Sequence, residues 1–159
     1  MGPLITARQK QVVLDYIEQG KKDATLVTGG GTPDDPALQK GFFVSPTIFD
    51  GVPNTASIAR EEIFGPVLSV TSFADFDEAI ALANDSDFGL HAGVFTNDLR
   101  TALRAVKELD FGGVLINEVP TFRADQQPYG GVRDAGNTRE GPAYAIEEMT
   151  TLRFVSLQA

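Results

Sequence analysis

An α/β fold, built as a mostly parallel sheet with covering helices, is what this sequence predicts, and three observations carry the prediction. Short apolar runs alternate with amphipathic helical stretches, with no internal repeat and no low-complexity tract. The apolar runs are continuous rather than alternating, as strands covered on both faces require. A chain of 159 residues, 42% hydrophobic and 22% charged, is long and apolar enough to fold around a core.

The elements follow in order. Val12, Val13, Tyr16 and Ile17 share one face of a helix, and Gly20 is placed to close it, with Lys21 and Lys22 at the end where cations favour the helix dipole. Residues 25–28 read as a short strand. The stretch Gly29-Gly30-Gly31-Thr32-Pro33-Asp34-Asp35-Pro36 is turn chemistry; it lacks the lysine and following helix of a phosphate loop and reads as a surface loop. Strands are expected at 42–44, 47–49 and 67–73. Asp75-Phe76-Asp77-Glu78 resembles a capping box and starts a helix running to about Asn84. A strand at 92–96 precedes a helix capped by Asn97 or Asp98 and carrying Leu99, Leu103 and Val106, and 113–117 is a further apolar strand. Strand–helix–strand units of this kind pair in parallel through right-handed crossovers. Ligands gather beyond the carboxyl ends of such strands, so the loop after Asn117 is the place to look for a site.

Charge and composition exclude several roles. A net charge of −9 opposes binding to phosphate backbones and anionic lipid surfaces, and no basic patch offsets it. No apolar run reaches the length of a membrane span, and the amino terminus lacks a secretion signal, which makes the cytoplasm the default location. With no cysteine there is neither a disulfide nor a thiolate metal site, and one histidine among scattered carboxylates gives no metal-ligand spacing. His91, at the start of an apolar strand, reads as a packed structural side chain.

The segment between Glu118 and Glu140 is long for a connection, and its aromatics, prolines and Gly130-Gly131 pair argue for a fixed path. From composition alone, those aromatics either cap the sheet or wall a pocket. Arg123 reads either as a solvent-facing side chain or as a partner for an anionic ligand. The pair Glu61-Glu62 by itself reads as a solvated helix start.

Three motifs go further. Gly41-Phe42-Phe43-Val44-Ser45-Pro46-Thr47, Glu61-Glu62-Ile63-Phe64-Gly65-Pro66-Val67 and Pro128-Tyr129-Gly130-Gly131 through Arg139-Glu140-Gly141 stand in an order and spacing that resembles the C-terminal part of the aldehyde dehydrogenase superfamily. The resemblance extends over nearly the whole chain. It implies that residues 1–149 are a truncated catalytic domain, with Met1 an internal start, and that 150–159 carry the terminal oligomerisation strand. It also implies that Glu62 accepts hydrogen bonds from the nicotinamide ribose of NAD or NADP, and that Phe64 packs beside the nicotinamide. Phe122, Arg123 and Tyr129 then wall the aldehyde pocket, and Glu61 serves structure.

The reaction that the resemblance implies is thiolate attack on an aldehyde, hydride transfer to nicotinamide and hydrolysis to a carboxylic acid. In the family its cysteine, its glutamate base and its dinucleotide domain all lie upstream of the matched region, so no catalytic residue is assigned here and the chain alone is expected to be inactive and to bind no cofactor. Arg133, Ala135 and Thr138 depart from the usual Lys, Ser and Gly of the family. The form 137–148 is more similar to the semialdehyde, lactaldehyde and glyceraldehyde-type branches. The tail 151–157 alternates apolar side chains as a half-buried strand does. It is either an intrachain edge strand or, by resemblance, a strand that joins a neighbouring subunit in a homodimer. The alternative function is a folded, non-catalytic interaction module.

Overall fold

The computed structural model describes residues 1–158, and its α/β chain divides into two compact units, Met1–Ala74 and the chain from Asp75 onward. The first unit opens with α1 (Ala7–Asp23), whose Thr6 cap accepts a hydrogen bond from Gln9 N. Val13 and Ile17 are fully buried. They pack with Val44, Phe49, Val52, Ala56, Ile58 and Ile63 in one cluster. The sheet of this unit has the order β1 (Thr25–Thr28), β2 (Thr47–Asp50), β3 (Val67–Val70), with β1 antiparallel and β3 parallel to the central β2. A short helix, α2 (Ser57–Arg60), connects β2 to the turn before β3.

Three expectations change here. Gly20 does not close α1: the helix continues to Asp23, with Lys21 and Lys22 in its last turn, and Gly20 is buried where a Cβ would stand 2.8 Å from the Phe49 ring. The glycine allows close packing rather than a left-handed cap. Residues 42–44 form no strand, because Gly41 N donates to Leu38 O in a turn and Phe42 O accepts from Leu4 N at the start of the chain. The strand expected at 67–73 stops at Val70, since its partner β2 ends at Asp50 and Gly51 turns away at φ +67°.

The second unit starts with α3 (Phe76–Asn84), capped by Asp75, which accepts from Glu78 N. Then come β4 (Phe88–Gly89), β5 (His91–Val94), α4 (Leu99–Glu108), β6 (Gly113–Ile116), β7 (Val132–Arg133) and α5 (Pro142–Met149). β5 and β6 are parallel across α4, the expected crossover, and β4 pairs antiparallel with β7. Asp98 caps α4 through Arg100 N and Thr101 N. One face differs from expectation. Ala105 is the buried side chain of α4, while Leu99, Leu103 and Val106 are more than half exposed.

Candidate functional site

In the first unit, the turn from α2 to β3 separates four neighbouring side chains by local geometry. Glu61 caps α2 with its backbone, and its carboxylate accepts a hydrogen bond from the Tyr16 hydroxyl at 2.5 Å. That bond, with burial and the Glu61 charge adding to it, pushes the Tyr16 phenol above its ordinary pKa. Ile63 turns into the core, where it is buried. Gly65 lies so close to Val13 that no Cβ fits, and Pro66 O accepts from Thr47 N as the sheet begins. Phe64 is left at φ +50° with its ring 72% exposed. Glu62 is exposed, and among the described residues no partner holds its carboxylate.

These residues line a cleft of about 370 Å³ with Asn54, Ile58 and Val67. An unheld carboxylate has four lone-pair sites and can accept from two adjacent hydroxyls, and an exposed ring beside it offers a flat apolar surface. That pair is chemically suited to a ligand that carries adjacent hydroxyls next to a flat ring.

In the second unit, the loop after β6 is fixed by several bonds. Asn117, at φ +56°, accepts from Thr96 N at 2.8 Å and donates to Thr96 O at 2.9 Å. Tyr129 and Glu140 exchange backbone hydrogen bonds, which closes the loop upon itself. The Arg123 guanidinium lies 3.9 Å from the centre of the Tyr129 ring and pairs with Glu140 at 2.7 Å. His91 packs edge-on against Tyr129, with centroids 4.7 Å apart, and its Nδ1 donates to Pro120 O at 2.8 Å. The histidine thus sits among packing partners, as its sequence context suggested.

A groove of about 480 Å³ is lined by Arg123, Ala124, Gln127, Glu140, Pro142 and Ala145. Arg123 and Tyr129 are brought together, whereas Phe122 is 47% exposed and neither aromatic lines that groove. Sequence reasoning passed over Tyr16 and Gln9, which act on the Glu61–Phe64 turn from far along the chain, and over Glu140 as the partner of Arg123. No group of three metal-ligating side chains occurs among the described residues.

The sequence profile described as the aldehyde dehydrogenase family matches residues 1–155. This chain belongs to that family. It is 39% identical over 157 residues to the 3-sulfolactaldehyde dehydrogenase of Priestia megaterium, covering 99% of this chain and 32% of that protein. It is 45% identical over 159 residues to the betaine aldehyde dehydrogenase of Brucella melitensis biotype 2, again covering 99% of this chain and 32% of the relative. Among solved structures, a Mycobacterium tuberculosis aldehyde dehydrogenase complexed with NAD+ superposes with a TM-score of 0.89 at 38% identity, covering 95% of this chain and 31% of that one. Aldehyde dehydrogenase 21 from Physcomitrella patens, in complex with its product succinate, gives 0.86 at 37% identity over 94% and 30% of the two chains. The chain therefore spans about a third of the length of the aldehyde dehydrogenases it matches.

Proposed function

We propose that this chain is a portion of an NAD(P)-dependent aldehyde dehydrogenase that oxidises an aldehyde to a carboxylic acid, and that it does not turn over alone. The observation that carries the proposal is the family match across residues 1–155 in a sequence without cysteine. A hydroxyl side chain is a far weaker nucleophile than a thiolate unless a base activates it. The nicotinamide cofactor, when bound to the complete enzyme, supplies the hydride acceptor. The isolated chain binds none, because one ribose contact does not offset the lost freedom of the ligand.

In this reading Glu62 accepts from the ribose hydroxyls and Phe64 packs against the nicotinamide. The contrast between Glu61, already engaged by Tyr16, and Glu62, exposed beside the cleft, supports that assignment. Phe122, Arg123 and Tyr129 wall the aldehyde pocket. The relatives' names indicate aldehydes of opposite charge, a sulfonate and a quaternary ammonium. Arg123 favours the anion, and it already covers the Tyr129 face that a cation would use.

A second reading, a non-catalytic module that pairs through 151–157, is supported by the near-complete exposure of Leu152, Phe154 and Leu157. Either way the same segment joins two copies into a homodimer, in a cytoplasmic setting. Sedimentation at micromolar concentration checks this, and a monomer would count against it.

Activity is tested by adding NAD or NADP and a panel of aldehydes to the purified chain while following absorbance of the reduced cofactor. No turnover is expected, and any oxidation by the isolated chain overturns the proposal. Co-production with the upstream two-thirds of a relative is expected to restore oxidation. In that reconstituted enzyme Glu62→Gln raises the cofactor KM roughly tenfold or more, as loss of a charged hydrogen bond implies. Arg123→Ala there lowers the preference for anionic over neutral aldehydes.

A further inference from the structure

Thr6-Ala7-Arg8-Gln9 has the spacing of a capping box, in which the glutamine side chain would fold back on the first turn of its own helix. Gln9 keeps only half of that arrangement. Its backbone N–H donates to Thr6 Oγ1 at 3.1 Å, but its side-chain Nε2 crosses to the turn before β3. There it donates to Ile63 O at 2.9 Å and to Phe64 O at 3.3 Å. The two hydrogens of one amide thus meet two successive carbonyls on either side of the Phe64 nitrogen and α-carbon.

Phe64 is the residue that needs holding. At φ +50° it occupies the left-handed region, rare for an aromatic, and such conformations persist only where the surroundings fix them. Ile63 is anchored in the core and Gly65 is pressed against Val13, so both neighbours are pinned. A carbonyl can still rotate between pinned neighbours, and the amide hydrogen bonds oppose that rotation.

We propose that Gln9 is a positioning residue for the nicotinamide site: its amide locks the Ile63–Phe64 peptide so that the Phe64 ring stands out of the fold beside Glu62. The functional half of this inference rests on the reading of Phe64 and Glu62 as cofactor contacts; the conformational half stands on the hydrogen bonds alone.

Nuclear magnetic resonance of the isolated chain tests it. A left-handed Phe64 gives a strong intraresidue amide–Hα cross-peak. Gln9→Ala is expected to lose that cross-peak while the resonances of Val13, Ile17 and Phe49 stay in place. Gln9→Glu, nearly isosteric but without the donor, is expected to do the same. A cross-peak retained in either folded variant overturns the proposal. In the unaltered chain the Gln9 side-chain amide is expected to exchange with solvent about fivefold more slowly than a free glutamine, as a bond of about 1 kcal/mol implies; exchange at the free rate overturns the proposal without any variant. The cofactor reading fails by a different measurement, an unchanged cofactor KM for Glu62→Gln in the reconstituted enzyme.

Discussion

The two units of this chain are held together by different means. Met1–Ala74 buries eight apolar side chains in one cluster around Phe49, and the seven larger than alanine each contribute about 1.5–3 kcal/mol when fully buried. From Asp75 onward, only Ala105 and Leu109 are buried apolar side chains among the described residues. Polar bonds predominate there instead. Arg133, at φ +57°, donates to Asn84 O, Phe88 O and Asp110 O, and Arg104 pairs with Asp77 and Glu108. Exposed ion pairs of the Arg104 kind contribute little. The apolar stripe Leu99, Leu103 and Val106 meanwhile faces outward on α4. The contrast teaches that family membership over the whole chain does not imply equal self-sufficiency along it: the first unit supplies its own core, whereas the second is closer to a frame that awaits covering.

The sharpest way to break this comparison is Phe49→Ala. The ring is fully buried, and its loss should cost about 3–5 kcal/mol, read as a lower urea midpoint and loss of amide protection across residues 1–74. Equal protection of both units in the unaltered chain would show that the second is no looser than the first. Next in size is Arg133→Ala, which strips three carbonyls of one donor and is expected to cost about 2 kcal/mol, with exchange opening at the β4–β7 pair. Arg133→Lys should recover only part of this, since one ammonium cannot reproduce the planar fork. Gly20→Ala follows at about 1–2 kcal/mol, because the added methyl meets the Phe49 ring and Ile58. A neutral result there would mean that the core yields more easily than its packing suggests.

These sites also show what the sequence disclosed. The cap at Asp75, and the one at Asn97 or Asp98 that the structure assigns to Asp98, were legible because a cap is local: the accepting side chain and the donated N–H lie within three residues. Strand ends were not, since β3 stops where its partner β2 stops, a fact located twenty residues away. Gly20 looked like a helix end because a glycine's reason, open backbone or close contact, is not written beside it. The helical stripe on α4 was visible, but which face would meet the sheet was not. β7 has only two residues, too few for a pattern, and α5, which begins at Pro142, was not read as a helix. Within the site, the Glu61–Pro66 motif pointed to the turn, whereas Tyr16 holds Glu61 from 45 residues away.

Acid separates the units in the opposite sense. The hydrogen bond from Arg104 lowers the Glu108 pKa, and the Thr101 hydroxyl, then the Arg100 amide, lower that of Asp98. A carboxylate depressed in the folded state contributes stability above its unfolded pKa and loses it as pH falls through the folded value. The window therefore lies below about pH 4. The two groups stand at the two ends of α4, Asp98 as its cap and Glu108 in its last turn, so acid should loosen the second unit first, seen as early loss of amide protection at 99–108. Glu108→Gln should flatten that response.

Alkali supplies the smallest and most selective test, because Tyr16 titrates in the first unit. Its phenol is raised by donating to Glu61, so the folded state favours the protonated form. The contribution is complete below the unfolded phenol pKa of about 10 and disappears as pH rises through the higher folded value. Tyr16→Phe removes the hydroxyl but keeps the ring, and should lower stability slightly at neutral pH while abolishing this alkaline component. The turn before β3 gives the decisive reading. If Glu61 is structural and Glu62 is not, losing the Tyr16 hydroxyl shifts the resonances of Glu61 and its α2 neighbours, and raising the pH past the phenol pKa in the unaltered chain reproduces that pattern. Equal shifts at Glu61 and Glu62 would mean that the two carboxylates act as one group, and the division of labour on which the cofactor assignment leans would be lost.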